Sequence, residues 1–305
     1  MSTAFFDPTV VGPVSLEEFI AFVDDTLVAT DNDSIKAAAP MLQRLCANRA
    51  WFVSYLNEEL VNGFHSDKVF GNRYSSNSLL MGRSRNENEF VIRANIWLPA
   101  NDSLRTSADK AFFAEDILHD HTFNLLTGGL AGSGYSTRIY EYDFATCRGV
   151  RGEEVEWQSV QEFRLAEGSV LFMERNRAIH KQFPPKQPSV SLNLLCQDIY
   201  SPIARQHEFE ETGTRTLRVK SLHYSSPVRP EMTESLVNIC GSFANDDTRQ
   251  IMVDLYGRLI EAPDRNEPAI VILADWFSRL GVDYSDLRAT SKPISRHLKA
   301  VLDTL

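Results

Sequence analysis

Nowhere in the 305 residues is there a dense run of lysine or arginine, and the formal net charge is −10. A phosphate backbone is bound through a concentrated basic face, so nucleic acid is not expected as a partner. Long hydrophobic runs are missing as well. The most apolar stretch outside the middle of the chain, Ala269 to Phe277, is interrupted by Asp275 and falls far short of the roughly 20 residues that span a bilayer. No membrane association is expected. The first twenty residues contain Asp7, Glu17 and Glu18 but no Lys or Arg, and so lack the charged start and apolar centre of a secretory signal. Cysteine is sparse: Cys46, Cys147, Cys196 and Cys240 form no CxxC pair. That fits reduced core thiols in a cytoplasmic protein better than a disulfide framework or a thiolate zinc site.

What is present is ordinary globular composition, with 43% hydrophobic and 24% charged residues, so a folded chain is expected. Residues 1–85 read as an N-terminal helical region. Leu16, Phe19, Ile20 and Val23 form one stripe at helical spacing, and Met41, Leu42, Leu45, Trp51, Phe52, Tyr55 and Leu56 extend the pattern. Ser15 followed by Glu18 is a capping-box signature that places a helix start near Ser15. Residues 213–305 repeat this character and read as a C-terminal helical region. Between them, residues 86–212 break into short apolar or alternating segments: Phe90–Leu98, Ile117–Leu126, Thr137–Phe144, Glu154–Trp157, Gly168–Glu174 and Ser189–Leu195. Turn-rich stretches such as Gly132-Ser133-Gly134 and Pro184-Pro185 separate them, which is the rhythm of an antiparallel sandwich or barrel. The fold class expected is therefore a mainly β core with α flanks.

Within Ile117–Leu126, His119 and His121 are two residues apart, and the period of a strand sends both imidazoles to one face. His180 follows the segment Gly168–Glu174 after a short turn, where a neighbouring strand can bring it to the same place. Three imidazoles leave coordination positions open for substrate, water or dioxygen, as a working metal site requires. His65, His207, His223 and His297 lack such a setting and read as surface or helix-end residues. Glu141 and Asp143 alternate with Tyr140 and Tyr142 along one strand, so one pair faces the interior; an inward Glu141 is a candidate fourth ligand or general base. Asn193 is a candidate for orienting substrate or water, and Tyr135 and Tyr140 are candidate hydroxyl donors.

The segment His119-Asp120-His121, the glycine-bearing hairpin after it, and the run from Gly168 to His180 resemble the two motifs of the cupin superfamily. The resemblance covers about a third of the chain and implies a double-stranded β-helix barrel. The glutamate usual in the first motif is replaced by Leu125 and Leu126 in its window. Keeping three histidines without it is similar to the thiol dioxygenase branch, such as cysteine dioxygenase. Arg93 falls where that family places a carboxylate-binding arginine, and Val190 to Leu194 resembles its strand after the third ligand. The family's serine–histidine–tyrosine trio appears here as Ser191, Asn193 and Leu195, which points away from a small thiol substrate. The resemblance implies Fe(II) on His119, His121 and His180, with dioxygen and an organic substrate at the open positions. An oxygenase acting on an amino-acid-like or peptide-like metabolite is expected, and a homodimer joined through the sheets is the assembly such barrels suggest. Two alternatives are a non-redox lyase, isomerase or hydrolase using Zn, Mn or Ni, and a module that senses a small molecule.

Overall fold

The computed structural model describes residues 2–9, 12–61, 73–75, 77–85, 90–103, 116–196, 205–213, 215–224, 237–239, 242, 245–261, 263–281, 298–299 and 302–303. His65, His297 and Cys240 lie outside them. The chain is mainly β, with a seven-stranded sheet and a closed six-stranded barrel. It divides into two compact units, Met1–Asp143 with Glu156–Tyr200, and Phe144–Val155 with Ser201–Leu305. No helix among the described residues is long and apolar enough to cross a membrane.

The first unit opens with strand β1 (Thr3–Phe6) and four helices: α1 (Leu16–Thr26), α2 (Asn32–Ala37), α3 (Ala39–Cys46) and α4 (Arg49–Val61). The capping box is present as expected. Ser15 Oγ accepts from the Glu18 amide at 3.1 Å, and the Glu18 carboxylate accepts from the Ser15 amide at 2.7 Å. Strands β2 (Arg73–Ser75), β3 (Ser78–Arg83), β4 (Phe90–Trp97), β5 (Leu118–His119), β6 (Asn124–Ala131) and β7 (Ser136–Tyr142) follow. After them come β8 (Glu154–Arg164), β9 (Val170–Met173), β10 (Ala178–Phe183) and β11 (Ser189–Cys196). Helical spacing concealed β1, a four-residue strand too short to show a period. Strand β8 runs eleven residues, well beyond the expected Glu154–Trp157. The expected strand Ile117–Leu126 is in fact two, β5 and β6, which belong to different sheets.

The seven-stranded sheet has the order β1-β9-β6-β11-β4-β3-β2 with antiparallel ladders. One face is apolar and buried: Ile92, Ala94, Leu126, Phe172, Leu192 and Leu194 join Phe19, Leu42 and Leu45 of the helices in one core cluster. Gly128 lets α3 sit this close, because a Cβ there would lie 2.8 Å from Cys46 Sγ and 3.2 Å from Leu42 Cγ. The opposite face carries Arg93 and Trp97 of β4, Thr127 of β6, and Ser191 and Asn193 of β11. The ladder sets Asn193 opposite both Arg93 and Thr127, and directly opposed residues share a face. Strands β5, β10, β7 and β8 pair in that order, with His180 opposite His119 and Ile139. A second apolar cluster lies here, including Trp97, Leu125, Tyr135, Ile139, Leu171 and Ala178.

The second unit contains a short 3₁₀ turn (Phe144–Thr146), the hairpin β12 (Arg205–Glu211) to β13 (Thr216–Tyr224), and helices α5 (Asp246–Leu259) and α6 (Pro263–Leu280). It has its own core, in which Tyr256, Ile270, Trp276 and Phe277 pack together. Strand β13 lies in the part of the chain expected to be helical. His207, expected at a surface or helix end, is instead fully buried on β12 between the rings of Phe144 and Phe209, at 5.7 and 5.8 Å. Cys46, Cys147 and Cys196 are free and buried. Burial pushes the Cys46 and Cys196 thiols up, as expected of unreactive core residues.

Candidate metal centre

His119 ends β5, and His180 stands directly opposite it on β10. The ladder therefore fixes these two side chains on one face. His121 is placed differently, because residues 120–123 belong to no strand. After His119 the chain leaves one sheet and enters the other at Asn124, and His121 lies on that crossing. The Asn176 amide donates to its carbonyl at 2.8 Å, and the Phe123 ring stacks on its imidazole at 4.4 Å. Asn176 holds φ +53°, a left-handed conformation that asparagine tolerates in tight turns.

The three imidazoles meet. His180 Nε2 lies 3.1 Å from His119 Nε2 and 2.9 Å from His121 Nε2, and His119, His121 and His180 form a group whose ligand atoms all lie within 4.8 Å of one another. His119 Nδ1 sits 3.0 Å from the Ile117 carbonyl. A carbonyl only accepts, so the ring proton is at Nδ1 and the lone pair of Nε2 points into the cluster. Burial, then the neighbouring His180, His119 and Arg93, hold His121 well below the usual histidine range; burial and His119 do the same for His180. Nitrogens at this distance are joined either by an N–H···N hydrogen bond from His180 or, when all three present lone pairs, by a shared cation. Two nitrogens each about 2.1 Å from a common ion, at a right angle, stand about 3.0 Å apart. The two separations about His180 match that spacing, and three neutral imidazoles are a donor set suited to a divalent ion.

The other expected site residues are distributed around this centre. Arg93 is on the inner face of β4, and its charge is felt at His121. Asn193 is tied into a polar cluster: its Oδ1 accepts from Thr127 Oγ1 at 2.6 Å and from Ser191 Oγ at 3.4 Å, and its Nδ2 donates to the Arg93 carbonyl at 3.4 Å. Trp97 Nε1 donates to Ser191 Oγ at 2.9 Å. Tyr135 is buried against Trp97, with ring centroids 4.3 Å apart. Burial pushes its hydroxyl up to about 12 against the opposing hydrogen bonds with Thr127 and Gln182. Tyr140 packs edge-on to Trp157 at 5.6 Å.

Glu141 shares the face of His180, because the ladder pairs it with Ala178, two positions from His180. Its carboxylate, however, is occupied elsewhere. Oε1 accepts from the Ser2 amide at 3.0 Å and the Ser2 hydroxyl at 2.5 Å, and Oε2 accepts from Ser159 Oγ at 2.8 Å. The residue anchors the chain entering β1, and the metal-ligating group found among the described residues consists of the histidines alone.

Spacing gave no signal for Thr127, Gln182, Phe123 or Tyr142. Gln182 lies two residues beyond His180 on β10 and is 7% exposed; the alternation of that strand, had its start been known, would have placed it on the histidine's face. Tyr142 donates its hydroxyl to Asp120 Oδ2 at 2.6 Å.

No protein-family model matches the chain, and no curated protein matches it. Among solved structures it is similar to Streptomyces albus HEPD with 2-hydroxyethylphosphonate and Fe(II) bound, at 11% identity over 39% of this chain and 21% of that one, with a TM-score of 0.25. It is also similar to a Pseudomonas putida prolyl-4-hydroxylase at 10% identity over 64% and 68% of the two chains, with a TM-score of 0.27. A third is the DMSP lyase DddQ from Ruegeria pomeroyi DSS-3, at 12% identity over 64% and 79%, with a TM-score of 0.24. The chain thus spans about a fifth of the length of the first of these structures, 21%.

Proposed function

We propose that this chain is a non-haem Fe(II)-dependent oxygenase of the double-stranded β-helix (cupin) type. His119, His121 and His180 hold the metal, and an amino-acid-like or peptide-like metabolite is oxidised with dioxygen. The observation that carries the reading is the convergence of three Nε2 atoms, two of the separations being 3.1 and 2.9 Å, on one buried spot. Three histidine donors would leave the remaining positions of a bound ion open to substrate.

Ferrous iron, when bound, supplies the one-electron chemistry that dioxygen needs and that no side chain here provides. The chain's own residues do the rest. Three neutral imidazoles donate without cancelling the charge of the ion, so an anionic group of the substrate is favoured at the open positions. Arg93 presents a planar fork suited to a substrate carboxylate. Asn193 and Tyr135, held by Thr127, Ser191 and Gln182, are proposed to orient the remainder of the substrate through hydrogen bonds. The apolar side chains of Leu125, Ile139, Leu171 and Ala178 keep bulk water from the inner face, which strengthens every polar contact made there.

The test is elemental analysis of protein purified without a metal-binding tag, in wild type, His119→Ala and His180→Ala. Near-stoichiometric iron in the wild type alone, with oxygen uptake that needs Fe(II), is the expected result. Because imidazole suits zinc and nickel as well, turnover without oxygen uptake would assign the site to a non-redox lyase, isomerase or hydrolase. No metal after anaerobic loading would turn attention to a module that senses a small molecule.

A further inference from the structure

We infer that Tyr142 is a positioning residue for the metal centre, acting through Asp120. The inference rests on the three-histidine metal reading and deepens it.

Asp120 lies between two of the ligands, in a segment that no strand ladder holds. Histidine ligands are commonly oriented by a hydrogen bond at the ring nitrogen that does not face the metal. His119 has such a bond, to the Ile117 carbonyl. The Nδ1 atoms of His121 and His180 have no hydrogen-bond partner among the described residues. His180 is held by its place in β10, but His121 depends on how its backbone is tethered. One tether is the Asn176 amide on the His121 carbonyl. Another is the Tyr142 hydroxyl on Asp120 Oδ2, at 2.6 Å, within a site where Asp120 is 0% and Tyr142 1% exposed. Water does not compete there, and a short hydrogen bond to a carboxylate is stronger than a neutral pair.

Tyr142 also belongs to the strand that carries the third ligand's neighbour. Strand β7 sets Ile139 opposite His180, and the Tyr142 amide donates to the Arg177 carbonyl at 3.1 Å, in the turn that leads into β10. The hydroxyl therefore links the strand registered with His180 to the segment bearing His119 and His121. Removing it leaves a buried carboxylate short of one donor, and the backbone between two ligands shifts as that carboxylate finds another.

The experiment uses the full chain stripped of metal and titrated with Co(II), whose visible spectrum reports ligand geometry, in competition with a chromophoric chelator. Tyr142→Phe removes only the hydroxyl, and Asp120→Ala removes the acceptor. The expected result is Co(II) affinity weakened by about 10–100-fold with an altered spectrum, while the metal-free melting temperature stays within a few degrees of wild type. Wild-type affinity and spectrum in Tyr142→Phe overturn the inference, whatever its melting temperature. If that variant does not fold, the same result in Asp120→Ala overturns it. Failure of wild type to bind Co(II) is a different outcome: it overturns the metal reading, and this inference with it.

Discussion

His119 and His180 are 61 residues apart in the chain, yet their Nε2 atoms stand 3.1 Å apart because β5 and β10 set the two residues directly opposite each other. An ion that binds this folded arrangement and not the unfolded chain stabilises the protein by mass action, about 2.7 kcal/mol at a hundredfold excess over Kd. The melting temperature of the wild type is expected to rise with added Fe(II) or Co(II) and to fall back with chelator. In His180→Ala the shift should disappear. A wild-type melting curve indifferent to both metal and chelator contradicts the site.

Glu141 holds the chain entering β1 through Ser2 and bridges to Ser159 on β8. Burial raises its carboxyl, but the hydrogen bonds from Ser2 and Ser159 outweigh this and leave it below the usual 4.5. As pH falls, the unfolded chain takes up this proton before the folded one. The contribution is thus present above about 4.5 and lost as pH drops through the folded value. Glu141→Gln is expected to cost on the order of 1–3 kcal/mol at pH 7 and progressively less below pH 4.5. Urea unfolding of both proteins at several pH values checks this, and a penalty independent of pH would show that the charge of Glu141 does not matter.

Leu126 is fully buried where the outer face of the seven-stranded sheet meets the helices, with Leu194 and Phe172 opposite it on the flanking strands. Leu126→Ala leaves a cavity that rigid strands cannot close. A loss of roughly 2–5 kcal/mol is expected, read as a lower urea midpoint with an unchanged slope.

Gly134 lies in the turn between β6 and β7 with φ +72°, and a Cβ there would collide with the Leu165 carbonyl oxygen. Both the conformation and the space require glycine. Gly134→Ala is expected to destabilise by more than about 1–3 kcal/mol, measured by thermal unfolding. The neighbouring Ser133→Ala serves as the comparison, since Ser133 bonds only surface groups of residue 187, and a Gly134→Ala melting temperature equal to that of Ser133→Ala would refute the steric argument.

Much of the architecture was legible in local spacing. The capping box at Ser15, the stripe Phe19 and Val23, and the alternation along β4 and β11 follow from periods of 3.6 and 2, which a single element sets by itself. Three histidines in an otherwise histidine-poor chain marked the candidate metal centre, because two lay within one short segment and the third closed a second motif. Other features could not be read this way. Helical spacing nearby hid β1, whose register with β9 no local pattern encodes. The segment holding His119 and His121 looked like one strand because its apolar residues run unbroken, although the chain changes sheets at Asp120. Glu141 alternated with tyrosines as a site residue would, and only the arrival of Ser2, 139 residues away, showed where its carboxylate is engaged.

By itself, then, the sequence determined the mainly β character and many of the element types, and it singled out His119, His121 and His180 as candidate donors, since these depend on residue chemistry and on contacts a few positions apart. The tertiary structure alone decided which donors meet, that β5 and β6 part company between His119 and Asn124, that His207 is buried between Phe144 and Phe209, and that Tyr142 reaches Asp120. Each of these is a pairing between distant segments. Its geometry is set by strand register and core packing, which belong to the whole chain and to no local stretch of it.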